Sequence, residues 1–240
     1  MRIITIYFWL VINISTSSQI CVLIDKSKLD SIKLPSSLSI FPYFDNKVLL
    51  VGASLNGGNV LQSFVDMVSN FMDNFSLQTD KDKVWDKLIQ LGNESLNSSS
   101  SSISNKIECR PVLFGERHNK QTFASMSNVN INNFTIGNIF NSICRGLVQN
   151  LCDMITLDFL FQVIKCRRLI CTGSCLTRNP ILKFYLNEIF HNEYNNVDIL
   201  FKSSSDSAIG AAYFLRDFYT NKFWLYNNFI KEYFLVKKLI

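Results

Sequence analysis

The sequence predicts an α/β fold built on a mixed β-sheet flanked by helices, and three observations predict it. Apolar strands rich in β-branched residues come in pairs in the first part of the chain and then alternate with helical segments, the pattern of a sheet that begins antiparallel and ends parallel. Three strand ends carry turns of small and hydroxylated residues: "NISTS" at 13–17, "LNGGN" at 55–59 and "CTGS" at 171–174. Of the 240 residues, 48% are hydrophobic and 18% charged, which supplies a core and argues against disorder on a large scale. No internal repeat is present.

The chain opens with an apolar run from Ile3 to Ile12 behind Arg2. The run is too short to span a bilayer. It reads either as a secretory signal or, being β-branched and aromatic, as a buried strand. A second strand is expected over Gln19–Ile24, then a polar loop over Asp25–Phe44 punctuated by Pro35 and Pro42, then a short buried strand in "KVLLVGAS". Val60, Leu61, Phe64, Val65, Val68 and Phe71 recur at helical spacing and predict a helix over Asn59–Phe75 with these residues inward. A small helix over Asp82–Leu91 leads into a low-complexity insert near 92–106 that contains "NSSSSSISN".

The segment "IECRPVLFGERHNKQTFASMSNV" reads as strand, loop and strand. A longer helix over Ile136–Met154 places Ile139, Ile143, Leu147, Leu151 and Met154 on one face. Strand Leu169–Thr172, helix Asn179–Phe190, strand Val197–Phe201 and helix Ser207–Phe218, with Asp206 as its N-cap, complete the alternation. These elements define one domain over 1–217. The aromatic, weakly amphipathic tail over 218–240 suits a helix docked on the domain, a partner surface or a membrane-surface helix.

Composition excludes several functions. The net charge of +5 is scattered, without the basic stripe that nucleic-acid binding requires. None of the seven cysteines forms a CxxC pair, and neither His118 nor His191 lies beside a cysteine at metal-ligand spacing, so no metal site is expected. Thiols inside apolar segments suit a reducing compartment. Sequons at Asn13, Asn74, Asn93, Asn97 and Asn133 arise in a chain rich in Asn and Ser. Glu116, Arg117 and His118 have the look of a charged cluster, and a structural role in their loop is the expectation. Glycine turns at strand ends permit a close backbone approach, and hydroxyls with free N–H groups at a helix start suit phosphate oxygens. Because ligands of open α/β sheets gather at strand carboxyl ends, the three turns are expected to converge on one site.

The order of these pieces resembles the C-terminal domain of the FGGY carbohydrate kinases, and in detail the branch that phosphorylates sedoheptulose. The resemblance runs from Val11 to about Leu215 through "VINISTSSQ", "FPYFDNKVLLVGASLNGGNVLQSFVDM", "PVLFGERHNKQTFASM", "IGNIFNSICRGLVQNLCDM", "RLICTGSCLTRNPILK" and "DSAIGAAYFL". It implies the actin-like ATPase architecture, in which two ribonuclease-H-like domains close on a cleft, with ATP and Mg2+ as cofactors and a sugar as the second partner. The implied reaction is ATP plus sedoheptulose giving ADP and sedoheptulose 7-phosphate. By position, Thr16 corresponds to a hydroxyl facing the phosphates, Gly58 to a glycine near the nucleotide and Gln62 to a polar contact there. Gly173 and Ser174 correspond to the adenosine turn, and Thr177 to a small polar residue near adenine or ribose. The family opens that turn with paired glycines where this chain has Cys171-Thr172-Gly173, so a Cβ at Cys171 or Thr172 is expected to crowd the nucleotide.

The family's general base lies in a Gly-Asp stretch just upstream of the first strand, for which this chain has no counterpart. No catalytic residue is therefore assigned, the N-terminal sugar-binding domain is expected to be required for activity, and the chain alone is expected to be inactive. With the first run read as a strand, a cytoplasmic location follows, with no membrane and no nucleic-acid partner. The alternatives are a non-catalytic secreted or binding protein on the same domain, or another sugar kinase such as a xylulose kinase.

Overall fold

Period-two burial builds the sheet. In strand β1 (Phe8–Ile14) Leu10, Ile12 and Ile14 are buried, and in β2 (Ser18–Asp25) Ser18, Ile20, Val22 and Ile24 are. In β4 (Lys47–Ser54) Val48, Leu50, Gly52 and Ser54 are buried, while the residues between them stay partly open. One sheet face is thus sealed and the other half covered. The computed structural model describes residues 8–44, 46–78, 80–97, 106–193 and 197–202, together with 212, 215 and 216. Two compact units are present, Met1–Ser203 and Ser204–Ile240. In the second, Ala212, Leu215 and Arg216 are helical. Most of the helix expected over Ser207–Phe218, its cap Asp206 and the tail lie outside the described residues.

The six-stranded sheet has the order β3-β4-β2-β1-β7-β8, where β3 is Leu38–Tyr43, β7 is Cys166–Thr172 and β8 is Asp198–Phe201. Strands β1, β7 and β8 are mutually parallel, and the pairings from β1 through β2 and β4 to β3 are antiparallel. The mixed sheet is as expected, with one addition. Strand β3 occupies what reads as loop in the sequence, because Pro42 breaks the pattern of an internal strand. As an edge strand it bonds to β4 alone and leaves Phe41 and Tyr43 about half exposed, a position that tolerates proline.

Helix α1 (Gly58–Asn74) buries Val60, Leu61 and Val65, but Phe71 stands 63% exposed with its ring 4.8 Å from that of Phe75. The apolar stripe therefore ends before the helix does. Helix α2 (Lys81–Asn97) is longer than the sequence suggests, since the start of the low-complexity stretch continues its last turns. Residues 98–105 lie outside the described set. Strands β5 (Glu108–Arg110) and β6 (Ser125–Ser127) pair as a small second sheet. Helix α3 (Ile136–Ile155) starts at Thr135, whose hydroxyl accepts the Asn138 N–H at 3.2 Å, and buries Phe140, Ile143, Cys144, Leu147, Val148 and Leu151. A short helix α4 (Ser174–Arg178) and α5 (Pro180–Glu193) follow β7. Asn179 caps α5 by accepting the Ile181 N–H at 2.9 Å, with Pro180 in the first helical position.

All seven cysteines are free thiols. Asn133, one of the sequons, is 3% exposed with its amide bonded to the Asn128 carbonyl, a site no glycan can reach. Among the described residues no helix is long and apolar enough to cross a membrane.

Candidate functional site

The three glycine turns meet at Ser15, in the turn after β1. Its carbonyl accepts the Gly58 N–H at 2.7 Å, and its hydroxyl accepts the Ser174 N–H at 3.3 Å. Beside it the Thr16 carbonyl accepts the Asn59 N–H at 3.0 Å. The packing is too close for side chains. A Cβ on Gly58 would stand 2.6 Å from the Ser15 oxygen, and one on Gly173 would stand 2.3 Å from the Ile14 oxygen, at a φ of +107° that L-residues rarely adopt. Sequence reasoning missed Ser15 because its role is made by backbone and hydroxyl bonds to distant turns.

Next to this junction lies a cleft of about 1070 Å³. Thr16, Gly58, Gln62 and Ser174 line it, together with Trp85 and Arg178, which the sequence alone does not single out. Gly173 lies behind the lining, pressed on Ile14. Thr177 does not line the cleft, and its hydroxyl donates to the Ser174 carbonyl at 3.2 Å within its own helix. The side chains of Cys171 and Thr172 are buried in the sheet and do not line the cleft.

The helix start is not the donor array expected of it. In α1 the Gly58 and Asn59 N–H groups serve the β1–β2 turn, and those of Gly57 and Val60 are held by the Asn59 amide oxygen at 2.8 and 2.9 Å. Polar capacity in the cleft rests instead on side chains. The Thr16 hydroxyl and the Arg178 guanidinium bond to nothing among the described residues. Gln62 is engaged, accepting the Trp85 indole N–H at 3.3 Å and donating to Asp66 at 3.1 Å. Asp66 also pairs with Lys81 at 2.7 Å, and that bond holds its carboxyl below the ordinary value. Trp85 is further fixed edge-on to Phe140, ring centroids 6.3 Å apart.

Behind the "LNGG" turn sits Glu116, 1% exposed. Its Oε1 accepts from the Ser54 hydroxyl at 2.7 Å, the Asn56 amide at 3.1 Å and the Asn150 amide at 2.7 Å. Asn56 in turn accepts the Phe114 N–H at 3.0 Å, so the carboxyl ties β4, the following turn and α3 together. The structural role expected of this residue is what the bonds describe. Arg117 and His118 are exposed beside it.

The cleft joins ring surfaces to a mixed polar lining in which the carboxylates of Asp82 and Asp86 confine any attraction for an anion to the Arg178 end. Trp85 and Phe114 offer ring surfaces, the turns offer hydroxyls, and Arg178 offers charge. No group of three or more His, Cys, Asp or Glu side chains that could hold a metal occurs among the described residues.

The mixed sheet flanked by helices is the actin-like ATPase fold of solved sugar kinases. The chain is 21% identical to the xylulose kinase from Lactobacillus acidophilus, with a TM-score of 0.62 over 86% of this chain and 37% of that one. It belongs to the FGGY carbohydrate kinase family. It is 32% identical to mouse sedoheptulokinase over 207 residues and 32% identical to the human enzyme over 205. Each match covers 84% of this chain, and the chain spans about 40% of the length of each relative. No family profile matches it.

Proposed function

We propose that this chain is the nucleotide-binding, C-terminal part of an ATP-dependent ketose kinase whose substrate is sedoheptulose, yielding sedoheptulose 7-phosphate. The observation that carries this reading is the junction of three turns at Ser15 beside the cleft, at the carboxyl ends of the parallel strands β1 and β7. Trp85 and Phe114 bind the base, while Thr16, Ser174 and Arg178 receive the phosphates. Gly58 and Gly173 act by allowing the turns to close, and Gln62 acts by holding Trp85. Thr177 contributes only by supporting α4.

Mg2+ fits as an ion carried by the phosphates, because the turns offer hydroxyls and no carboxylate, and such ions commonly keep waters and phosphate oxygens as ligands. When bound it neutralises charge that develops on the transferred group. What these residues supply is orientation. Holding reactants in line is worth roughly 7–11 kcal/mol, but only when the acceptor hydroxyl is held as well. The chain spans about 40% of the length of its relatives, and the groups that hold the sugar are read as lying in the remainder, so these 240 residues are expected to bind nucleotide and to phosphorylate nothing at a useful rate. The site of action is read as cytoplasmic.

Calorimetric titration of the purified chain with ATP and ADP in Mg2+ tests this, alongside a coupled assay with sedoheptulose and xylulose. Saturable nucleotide binding without turnover is the expected result. Absence of binding at millimolar nucleotide would overturn the assignment of the cleft, and ordinary turnover would overturn the assignment of the chain as the nucleotide part alone.

A further inference from the structure

A second cleft, of about 270 Å³, lies between helices α2, α3 and α5 and shares no lining residue with the first. Leu96, Ile107 and Phe184 form its apolar wall. Its polar groups divide sharply into spent and unspent ones. The Asn141 amide donates to the Ser95 hydroxyl at 2.7 Å and accepts from the Tyr185 hydroxyl, so that side chain is saturated. Burial, aided by the nearby Glu188 charge, pushes the Tyr185 phenol up, so it remains a donor to Asn141. Arg145, by contrast, donates to no group among the described residues although it projects from α3 into the lining. Lys106 meets Glu188 at 3.6 Å, a loose contact that leaves most of its donors unspent. A guanidinium and an ammonium thus face a pocket with one carboxylate, and the site carries net positive charge.

We propose that this cleft is a second ligand site, for a small oxyanion (a phosphate monoester or a carboxylate) on a compact polar frame, bonded by Arg145 and Lys106. Arginine offers a planar fork that matches either oxyanion bidentately, and lysine adds a point charge. The frame packs on Phe184, and its hydroxyls meet Ser142 and the Asn138 amide oxygen. Glu188 limits the charge the site accepts, disfavouring polyanions such as a nucleoside triphosphate. The inference does not depend on the nucleotide reading of the first cleft.

The test is calorimetric titration of the full chain with inorganic phosphate, glycerol 3-phosphate and malate. Saturable binding of the phosphates or of malate is expected, and which of them binds identifies the oxyanion. Arg145→Gln should weaken that binding at least 10-fold, whereas Glu188→Gln should tighten it about 3-fold by removing the opposing charge. The two variants move affinity in opposite directions, so a folding defect in one leaves the other decisive. Arg178→Gln should leave the binding unchanged. No saturable binding of any probe would overturn the proposal. So would affinity unmoved by both cleft variants, or binding lost in Arg178→Gln, which would place the anion in the first cleft.

Discussion

Replacing Gly58 by alanine sets helix propensity against the junction of turns. In an ordinary helix the change stabilises by about 1 kcal/mol. Here the new Cβ would lie 2.6 Å from the Ser15 carbonyl oxygen and 3.2 and 3.3 Å from Cβ and Sγ of Cys175. Cys175 could shift by a few tenths of an ångström. Ser15 cannot follow cheaply, because its N–H donates to Ser17 O at 3.0 Å and its hydroxyl accepts the Ser174 N–H. Relief therefore means parting α1 from the β1–β2 turn and losing the Gly58–Ser15 and Asn59–Thr16 bonds, each about 1 kcal/mol. Overpacking strain adds about 1–3 kcal/mol. Against the propensity gain, the net loss is about 2–4 kcal/mol, which for a chain of this size lowers Tm by about 4–16 °C. Nucleotide affinity should fall at least 10-fold in step, since Thr16 moves with the turn. Thermal melts and ADP titrations of wild type and variant measure both. An equal or higher Tm would refute the reasoning, because it would mean that the turns separate without cost. Gly173→Ala is the less informative change, since its clash with Ile14 backbone and its positive φ are expected to prevent folding outright.

Other consequences can be checked on the same material. Trp85→Ala should weaken ADP binding about 10-fold, through loss of a stacking surface worth about 1–3 kcal/mol, and titration calorimetry reads it. Glu116→Ala leaves the buried donors of Ser54 and Asn56 without their acceptor and should cost about 3 kcal/mol in urea unfolding, whereas Glu116→Gln keeps an acceptor oxygen and should cost less than half of that. Alkali should destabilise the chain through its buried thiols. Burial pushes Cys171 up from 9.0 to about 12 and raises Cys144 as well. Their stabilising contribution is whole below pH 9 and is lost as pH climbs through the folded values. By pH 10, above the ordinary thiol value and below the raised ones, the loss has reached on the order of 1 kcal/mol for Cys171. Urea midpoints at pH 8 and 10 measure this, and a drop that persists in full in the Cys144→Ala, Cys171→Ala double variant would refute the assignment to these two groups.

The sheet was legible because its strands obey a period of two with buried β-branched residues, and α3 because five apolar positions fall on one face. Strand β3 was hidden by Pro42 and by its exposed residues, both permitted only at an edge. The end of α2 was hidden by a serine-rich composition that reads as linker. Within the cleft, Thr16, Gly58, Gln62 and Ser174 could be placed because each belongs to a contiguous motif. Trp85 and Arg178 could not, since nothing local says that α2 leans over the turns or that the last residue of α4 faces the same space. A partial signal did exist for Arg178, in the "TRNP" sequence that ends α4 and caps α5. The free helix start was the weakest inference, because a turn rich in Asn and Gly supplies its own acceptors and consumes the donors it seems to offer.

On the proposed reading, the distribution of charge in the first cleft favours one direction for the nucleotide. Asp82 and Asp86 stand on α2 on either side of Trp85, while Arg178 stands on α4, which begins at the turn carrying Ser174. A triphosphate brought against the α2 carboxylates would be repelled, and one directed to the turns meets a guanidinium and hydroxyls. That direction would lay the base on Trp85 and turn the phosphates toward Ser15, Thr16 and Ser174. On the proposed reading the same polarity sets Asp82 and Asp86, the lining carboxylates among the described residues, toward the base end of the ligand.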